Sequence, residues 1–301
     1  MEDHAMKSIQ KKLAAAVLLS LALPMSAYAT ATLQNSSILA GVSDYGTLGS
    51  NGNTPPGILF DKTGTSNYGV NDFLTPGTPF EGFYVTSANG NYSNNNSGGS
   101  SFGTFALTQN SAISVTATGM SSDGVLGVVN DYSLATIGGR SVISITSTLT
   151  NKGTTALTDL AFLRTLDPDP DLNAFGSYFT TNVVLSNDQS CGTGGSSGQT
   201  ICIFTAATYA HKAGVSSYWS TDPALYLAGV NDGNGDYAIG IGFSLGSLAA
   251  GDSLSLTYGY ALGESRDVAT GGTVPEPMSA LLVATGLLGI ARSVRSKRNK
   301  A

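Results

Sequence analysis

Between Tyr237 and Leu245 the chain reads Tyr-Ala-Ile-Gly-Ile-Gly-Phe-Ser-Leu, with apolar side chains at Tyr237, Ile239, Ile241, Phe243 and Leu245. The pattern returns at once: Asp252 to Leu262 carries Leu254, Leu256, Tyr258, Tyr260 and Leu262 at the same spacing. A strict period of two sends successive side chains to opposite faces of a strand and does not fit a helical stripe of period 3.6. Ala112–Thr118 alternates in the same way, and Ser141–Thr150 is rich in β-branched residues. Thr181–Leu185 and Ala224–Ala228 read as further strands. Turn signals punctuate these runs at Asp123-Gly124, Gly138-Gly139, Asn151-Lys152-Gly153, Asp232-Gly233 and Ala250-Gly251-Asp252. Apart from the two ends, no 12-residue stretch has a helical period. The expectation is an all-β antiparallel β-sandwich. Residues 30–272 form a single large domain, because the Gly-, Pro- and Asn-rich stretch before Ser87 would bury too little alone. Ser87–Ser101 is read as a polar loop within it.

The ends follow another logic. Lys7, Lys11 and Lys12 precede the apolar run Leu13–Leu23, and Ala27-Tyr28-Ala29 follows as a small-x-small cleavage pattern. This is the layout of a secretory signal peptide, residues 1–29. The 11-residue apolar run is shorter than the ~20 residues that span a bilayer. At the other end, residues 273–301 hold Val274-Pro275-Glu276-Pro277, then Met278–Ala291, apolar except for Ser279 and Thr285. Arg292, Arg295, Lys297, Arg298 and Lys300 close the chain. Fourteen helical residues rise ~21 Å, and snorkelling arginines extend the reach toward a ~30 Å hydrocarbon core. The basic cluster would hold that end of a transmembrane helix on the cytoplasmic side, with the body outside.

Motif, short apolar helix and Arg-rich tail together resemble the PEP-CTERM sorting signal of Gram-negative bacteria. The resemblance covers about the last 28 residues. It implies recognition by an exosortase, cleavage near Pro275-Glu276-Pro277, and a setting of exopolysaccharide and biofilm production. It implies a destination and no activity.

The signal regions also change the charge arithmetic. Charged residues are 11% of the chain, against a usual ~25%. Eight of the 14 Lys and Arg lie in the two ends, so residues 30–274 carry six bases against 17 acids, a net charge of −11. Such a body does not fit a nucleic-acid partner. Both cysteines lie in it, in Cys191-Gly-Thr-Gly-Gly-Ser-Ser-Gly-Gln-Thr-Ile-Cys202. An exported chain is expected to join them as a disulfide, closing a Gly/Ser loop between Asn182–Ser186 and Ile201–Thr205.

Few residues offer chemistry. Asp167-Pro168-Asp169-Pro170-Asp171 would, if extended, set three carboxylates on one face about 7 Å apart. Such a set suits calcium; the alternative is an exposed, solvated acidic turn. Leu172 and Tyr178 stand where an EF-hand needs Gly and Glu. A second acidic run, Asn231–Asp236, is read as a hairpin turn. His211 is the sole histidine of the body, so a Ser-His-Asp triad would have to use it. Tyr218 and Trp219, beside polar donors, suit a sugar or partner, or a core pair. The reading that follows is an exported non-catalytic surface or matrix protein. The alternatives are a carbohydrate-binding module, with or without calcium, and a secreted carbohydrate-active enzyme.

Overall fold

The computed structural model describes residues 30–50, 56–74, 81–96 and 101–271. The expected signal peptide, sorting motif and basic tail lie outside the described residues. In chain order the first strands are β1 (Thr30–Gln34), β2 (Ile38–Ser43), β3 (Ile58–Phe60), β4 (Glu81–Ser87) and β5 (Gly90–Asn95). β6 (Ala106–Ser111), β7 (Ser114–Met120), β8 (Leu126–Ile137), β9 (Arg140–Asn151) and β10 (Leu157–Leu166) follow. Helix α1 (Leu172–Phe175) leads to β11 (Thr180–Ser186), β12 (Gln189–Gly194), β13 (Thr200–Thr205) and β14 (Ala210–Ser216). Helix α2 (Pro223–Leu227), β15 (Ala238–Leu248), β16 (Ser253–Gly263) and helix α3 (Arg266–Thr270) complete the fold.

Eight strands pair in the order β11-β12-β13-β16-β9-β8-β7-β6, and five in the order β14-β15-β10-β4-β5. The alternation at Leu256, Tyr258, Tyr260 and Leu262 turns those side chains inward from the large sheet. Ile239, Ile241 and Phe243 do the same from the smaller one. Phe162 and Phe243 of the five-stranded sheet meet Tyr258 of the eight-stranded sheet at ring distances of 5.8 and 6.1 Å. One continuous core therefore lies between two antiparallel sheets, each buried Phe or Leu contributing about 1.5–3 kcal/mol. A small sheet, β1-β2-β3, packs its Leu33, Ile38 and Ile58 onto the same core.

The low charge has a structural counterpart. On the outer face of the large sheet, β9 and β16 oppose hydroxyls in three successive rungs: Thr146 with Thr257, Thr148 with Ser255, and Thr150 with Ser253, at 2.8–2.9 Å. Serine and threonine do here what charged residues do on most wet sheet faces.

A buried ion pair crosses the core. Arg164 of β10 donates from Nε to Glu81 Oε1, and from Nη2 to Glu81 Oε2 at 2.9 Å and Tyr132 Oη at 3.0 Å. Tyr260 Oη and the Leu48 N–H also donate to Glu81, at 2.9 and 2.8 Å. Tyr132 passes its own hydroxyl hydrogen to the Gly46 carbonyl at 2.7 Å, so the pair also fixes the connection after β2. Burial works to lower the Arg164 guanidinium, and the adjacent Glu81 carboxylate together with the oxygens of Tyr132, Tyr258 and Tyr260 more than reverses this, holding it well above its ordinary value.

Three local expectations are corrected. Ser87–Ser101 is not simply a loop: Gly90–Asn95 forms β5, which pairs with β4 from Gly82↔Asn95 to Ser87↔Gly90. β5 is an edge strand, which leaves Asn91 in water, while the buried Asn94 donates from Nδ2 to the Tyr45 carbonyl. Ala224–Ala228 is not a strand, since Pro223–Leu227 is helix α2. Asp222 caps it, accepting from the Ala224 N–H at 2.9 Å, and Pro223 fills the first turn. This helix lies on β15, where a Cβ at Gly240 would meet the Tyr226 ring at 2.7 Å and one at Gly242 the Pro223 carbonyl at 2.9 Å. The glycines that alternate with Ile239 and Ile241 thus mark a helix-covered face, not a wet one. Asp222→Ala is expected to cost about 1 kcal/mol through loss of the cap, read as a lower denaturation midpoint with an unchanged denaturant slope.

The third correction concerns Asn231–Asp236, which does not close a hairpin. It connects α2 to β15, with Asn231 bridging Val215 and Gly235 bridging Thr180. Turn-forming residues fix the local bend there but not its partners.

Candidate functional site

Cys191 and Cys202 are joined by a disulfide. They stand directly opposite each other on β12 and β13, so the bridge lies within that hairpin. Asn182–Ser186 belongs to β11, on the other side of β12, because the stretch beginning at Cys191 is itself a strand. Val183 and Ala269 of α3 pack against the bridge, which is fully buried.

The Asp167–Asp171 run leaves β10 as an irregular connection, not as a strand. It runs close against β12: a Cβ at Gly192 would meet Pro168 Cγ at 2.7 Å, and one at Gly194 would meet Asp171 Oδ1 at 2.5 Å. Two glycines in Cys-Gly-Thr-Gly therefore admit this loop. The three aspartates then separate. Asp171 accepts from the backbone N–H groups of Ser196 and Ser197, at 2.6 and 3.1 Å, and so ties α1 to the β12–β13 turn. Asp167 and Asp169 instead meet Asp236, with carboxylate oxygens of all three within 4.8 Å of one another.

The sheet explains why Asp236 joins them. β10 and β15 are antiparallel with Leu166 opposite Ile239. Continuing that register brings the residues after Leu166 beside those before Ala238. Gly235 is fixed by paired backbone bonds with Thr180, and the Asn182 N–H donates to Asn234 Oδ1 at 2.8 Å. Two acidic runs about 65 residues apart in sequence thus meet at one end of the smaller sheet.

Burial pushes the Asp167 carboxyl up to about 7, with the Asp236 charge adding to the effect. Burial, then Asp167 and Asp236, push Asp169 up to about 8. Burial also raises Asp236. With raised values, the folded protein keeps protons that the unfolded chain has released above about pH 4. Their stabilisation is complete below about pH 4 and is lost as pH rises through about 7 and 8. Cation-free protein is therefore expected to unfold at lower denaturant at pH 9 than at pH 5. In Asp167→Asn/Asp169→Asn that difference is expected to shrink. An unchanged difference in the double variant would contradict this origin.

Trp219 and Tyr218 diverge. Trp219 donates from Nε1 to Tyr84 Oη at 2.8 Å and packs edge-on to that ring in a small cluster with Leu163 and Tyr226. Tyr218 is 58% exposed. His211 lies on β14, with Nε2 2.8 Å from Asp188 Oδ1 and Nδ1 2.6 Å from the Tyr209 carbonyl. Both ring nitrogens are engaged by oxygens, and neither faces a serine hydroxyl.

Beside Asp188 the surface opens into a cleft of about 740 Å³, where the β11–β12 turn and the β13–β14 connection meet β9 and β16. Phe204 and Tyr209 contribute aromatic surface, and Ser144, Ser186, Thr208 and Thr257 contribute hydroxyls. The Arg140 guanidinium sits 4.9 Å above the Phe204 ring. Sequence reasoning missed this cleft, because its residues come from four separate segments with no shared motif.

No family model and no curated protein matches the chain. Among solved structures it is similar to a bacterial glucoamylase complexed with acarbose, at 10% identity and a TM-score of 0.52, covering 82% of this chain and 35% of that one. A putative aldose 1-epimerase from Escherichia coli K12 matches at 13% identity and a TM-score of 0.46, over 78% and 99% of the two chains. Slr1438 protein from Synechocystis sp. PCC 6803 matches at 9% identity and a TM-score of 0.44, over 79% and 96%. At such identities the glucoamylase likeness is one of fold, and it agrees with the sandwich described above.

Proposed function

We propose that this chain is an exported, non-catalytic protein of the cell surface or extracellular matrix, sorted by its C-terminal signal and associated with exopolysaccharide. The disulfide supports export, since such bridges form and persist in oxidising compartments. The observation that carries the polysaccharide contact is the Phe204–Tyr209 cleft, bordered by the hydroxyl rungs of β9 and β16. Aromatic faces beside neutral hydroxyls suit sugar rings, which present apolar faces and hydroxyl edges. We place the contact there and not at Trp219, whose indole N–H is already committed to Tyr84. Before processing, the C-terminal helix holds the precursor in the inner membrane for the exosortase.

The test is co-sedimentation of the purified exported protein with the producing cell's own exopolysaccharide. Retention is expected, and Phe204→Ala/Tyr209→Ala is expected to weaken it roughly tenfold or more. Trp219→Ala should weaken it less. A protein that remains wholly in the supernatant would overturn the matrix reading. Shortening of the polysaccharide chains on incubation would replace it with a carbohydrate-active enzyme.

A further inference from the structure

We propose that Asp167, Asp169 and Asp236 form a calcium site that ties the end of β10 to the start of β15. The carboxylate oxygens converge within 4.8 Å, close to the span of two calcium–oxygen bonds of ~2.4 Å. Convergence alone would describe an acidic patch. What distinguishes this cluster is that it is built into the fold without donors. Asp169 is 3% exposed, and its Oδ1, like that of Asp167, has no hydrogen-bond partner. Three of the six bases of the body are engaged elsewhere: Arg164 on Glu81, Lys62 on Glu264, and Arg140 over Phe204. Buried carboxylates this close need a counter-charge, and among the described residues none of the three forms an ion pair with a basic side chain.

A neutral oxygen lies near Pro168, between two of these aspartates in sequence. Asn182 is 7% exposed, donates from Nδ2 to the Gly235 carbonyl at 3.3 Å, and leaves Oδ1 without a partner. That oxygen lies 3.1 Å from where a Gly192 Cβ would stand, and Pro168 Cγ lies 2.7 Å from the same point. It therefore borders the Asp167-Pro168-Asp169 segment. An all-oxygen donor set favours a hard cation. Irregular loop geometry, with Asp236 on the solvent side to admit water, favours calcium over magnesium, which demands a near-ideal octahedron. Asp171, the third aspartate of the run, is not a ligand, because the β12–β13 turn already holds it.

The exported protein, stripped with EDTA and dialysed, is to be titrated with calcium chloride by calorimetry and by thermal denaturation. One calcium per chain is expected, with a dissociation constant around 10⁻⁴–10⁻³ M, as for extracellular modules, and a saturable rise in Tm. Magnesium chloride should give a much smaller rise. Asp236→Asn, a change on the solvent side that leaves the core intact, should weaken calcium binding at least tenfold, roughly as lost ligand support does elsewhere. Asp171→Asn should retain binding. Neither heat nor a Tm shift up to about 10 mM calcium chloride would overturn the proposal, on wild-type protein alone. An equal response to magnesium, or undiminished binding in Asp236→Asn, would overturn it as well.

Discussion

Arg164→Met is expected to cost about 3–5 kcal/mol of folding stability, the largest loss from a single side chain in this protein. The cost arises less from the contacts removed than from what stays behind. Glu81 is fully buried, and among the described residues only Tyr260 and the Leu48 N–H would still donate to its carboxylate without Arg164. Burial already pushes that carboxyl up, against the pull of Arg164, so the variant should take up a proton there. Tyr132 would lose the donor to its hydroxyl, and with it part of the restraint on the Gly46 connection. Arg164→Met/Glu81→Leu should recover much of the loss, because replacing both charges of a buried pair is far cheaper than orphaning one. Urea denaturation of the four proteins in this cycle measures the coupling. Equal losses in the single and double variants would mean that packing, not the orphaned charge, sets the cost.

Breaking the disulfide is expected to have the second-largest effect. Cys191 and Cys202 are 11 residues apart in sequence, and a closed loop of this size contributes roughly 3 kcal/mol in the chain-entropy view. Cys191→Ala/Cys202→Ala should therefore lower the unfolding midpoint by an amount equivalent to about 2–4 kcal/mol. Packing adds to the entropy: the sulfurs lie beneath Ala269 and beside Val183, so the variant also leaves space under α3. Dithiothreitol should reproduce the loss only under conditions that open the hairpin, since neither cysteine is exposed.

Strands were legible where apolar side chains alternate with small or polar residues, whether the second face meets water, as in β16, or a covering helix, as in β15. β15 and β16 follow from alternation alone, and the Ser/Thr positions of β9 and β16 proved to be hydroxyl rungs. Legibility ended where side-chain period no longer reports burial. β5 is polar and lies at a sheet edge. α2 is too short to show a helical period, and its signal was instead Asp222-Pro223, a cap followed by a first-turn proline. The acidic site was half legible. Asp167 and Asp169 stood out as a run, but Asp236 joins them only through the pairing of β10 with β15, a long-range choice that spacing does not encode. Asp171 looked equivalent in sequence, and two backbone N–H groups of a distant turn give it a different role.

The central claim is that the sandwich is the delivered part of a sorted precursor. The measurement that tests it most directly is intact-mass and peptide mass spectrometry of the protein recovered from outside the cell. The account predicts a chain that begins at Thr30, ends near Pro275-Glu276-Pro277, and carries Cys191 and Cys202 as a disulfide. A recovered chain that still ends at Ala301, or that carries both cysteines as free thiols, would contradict it.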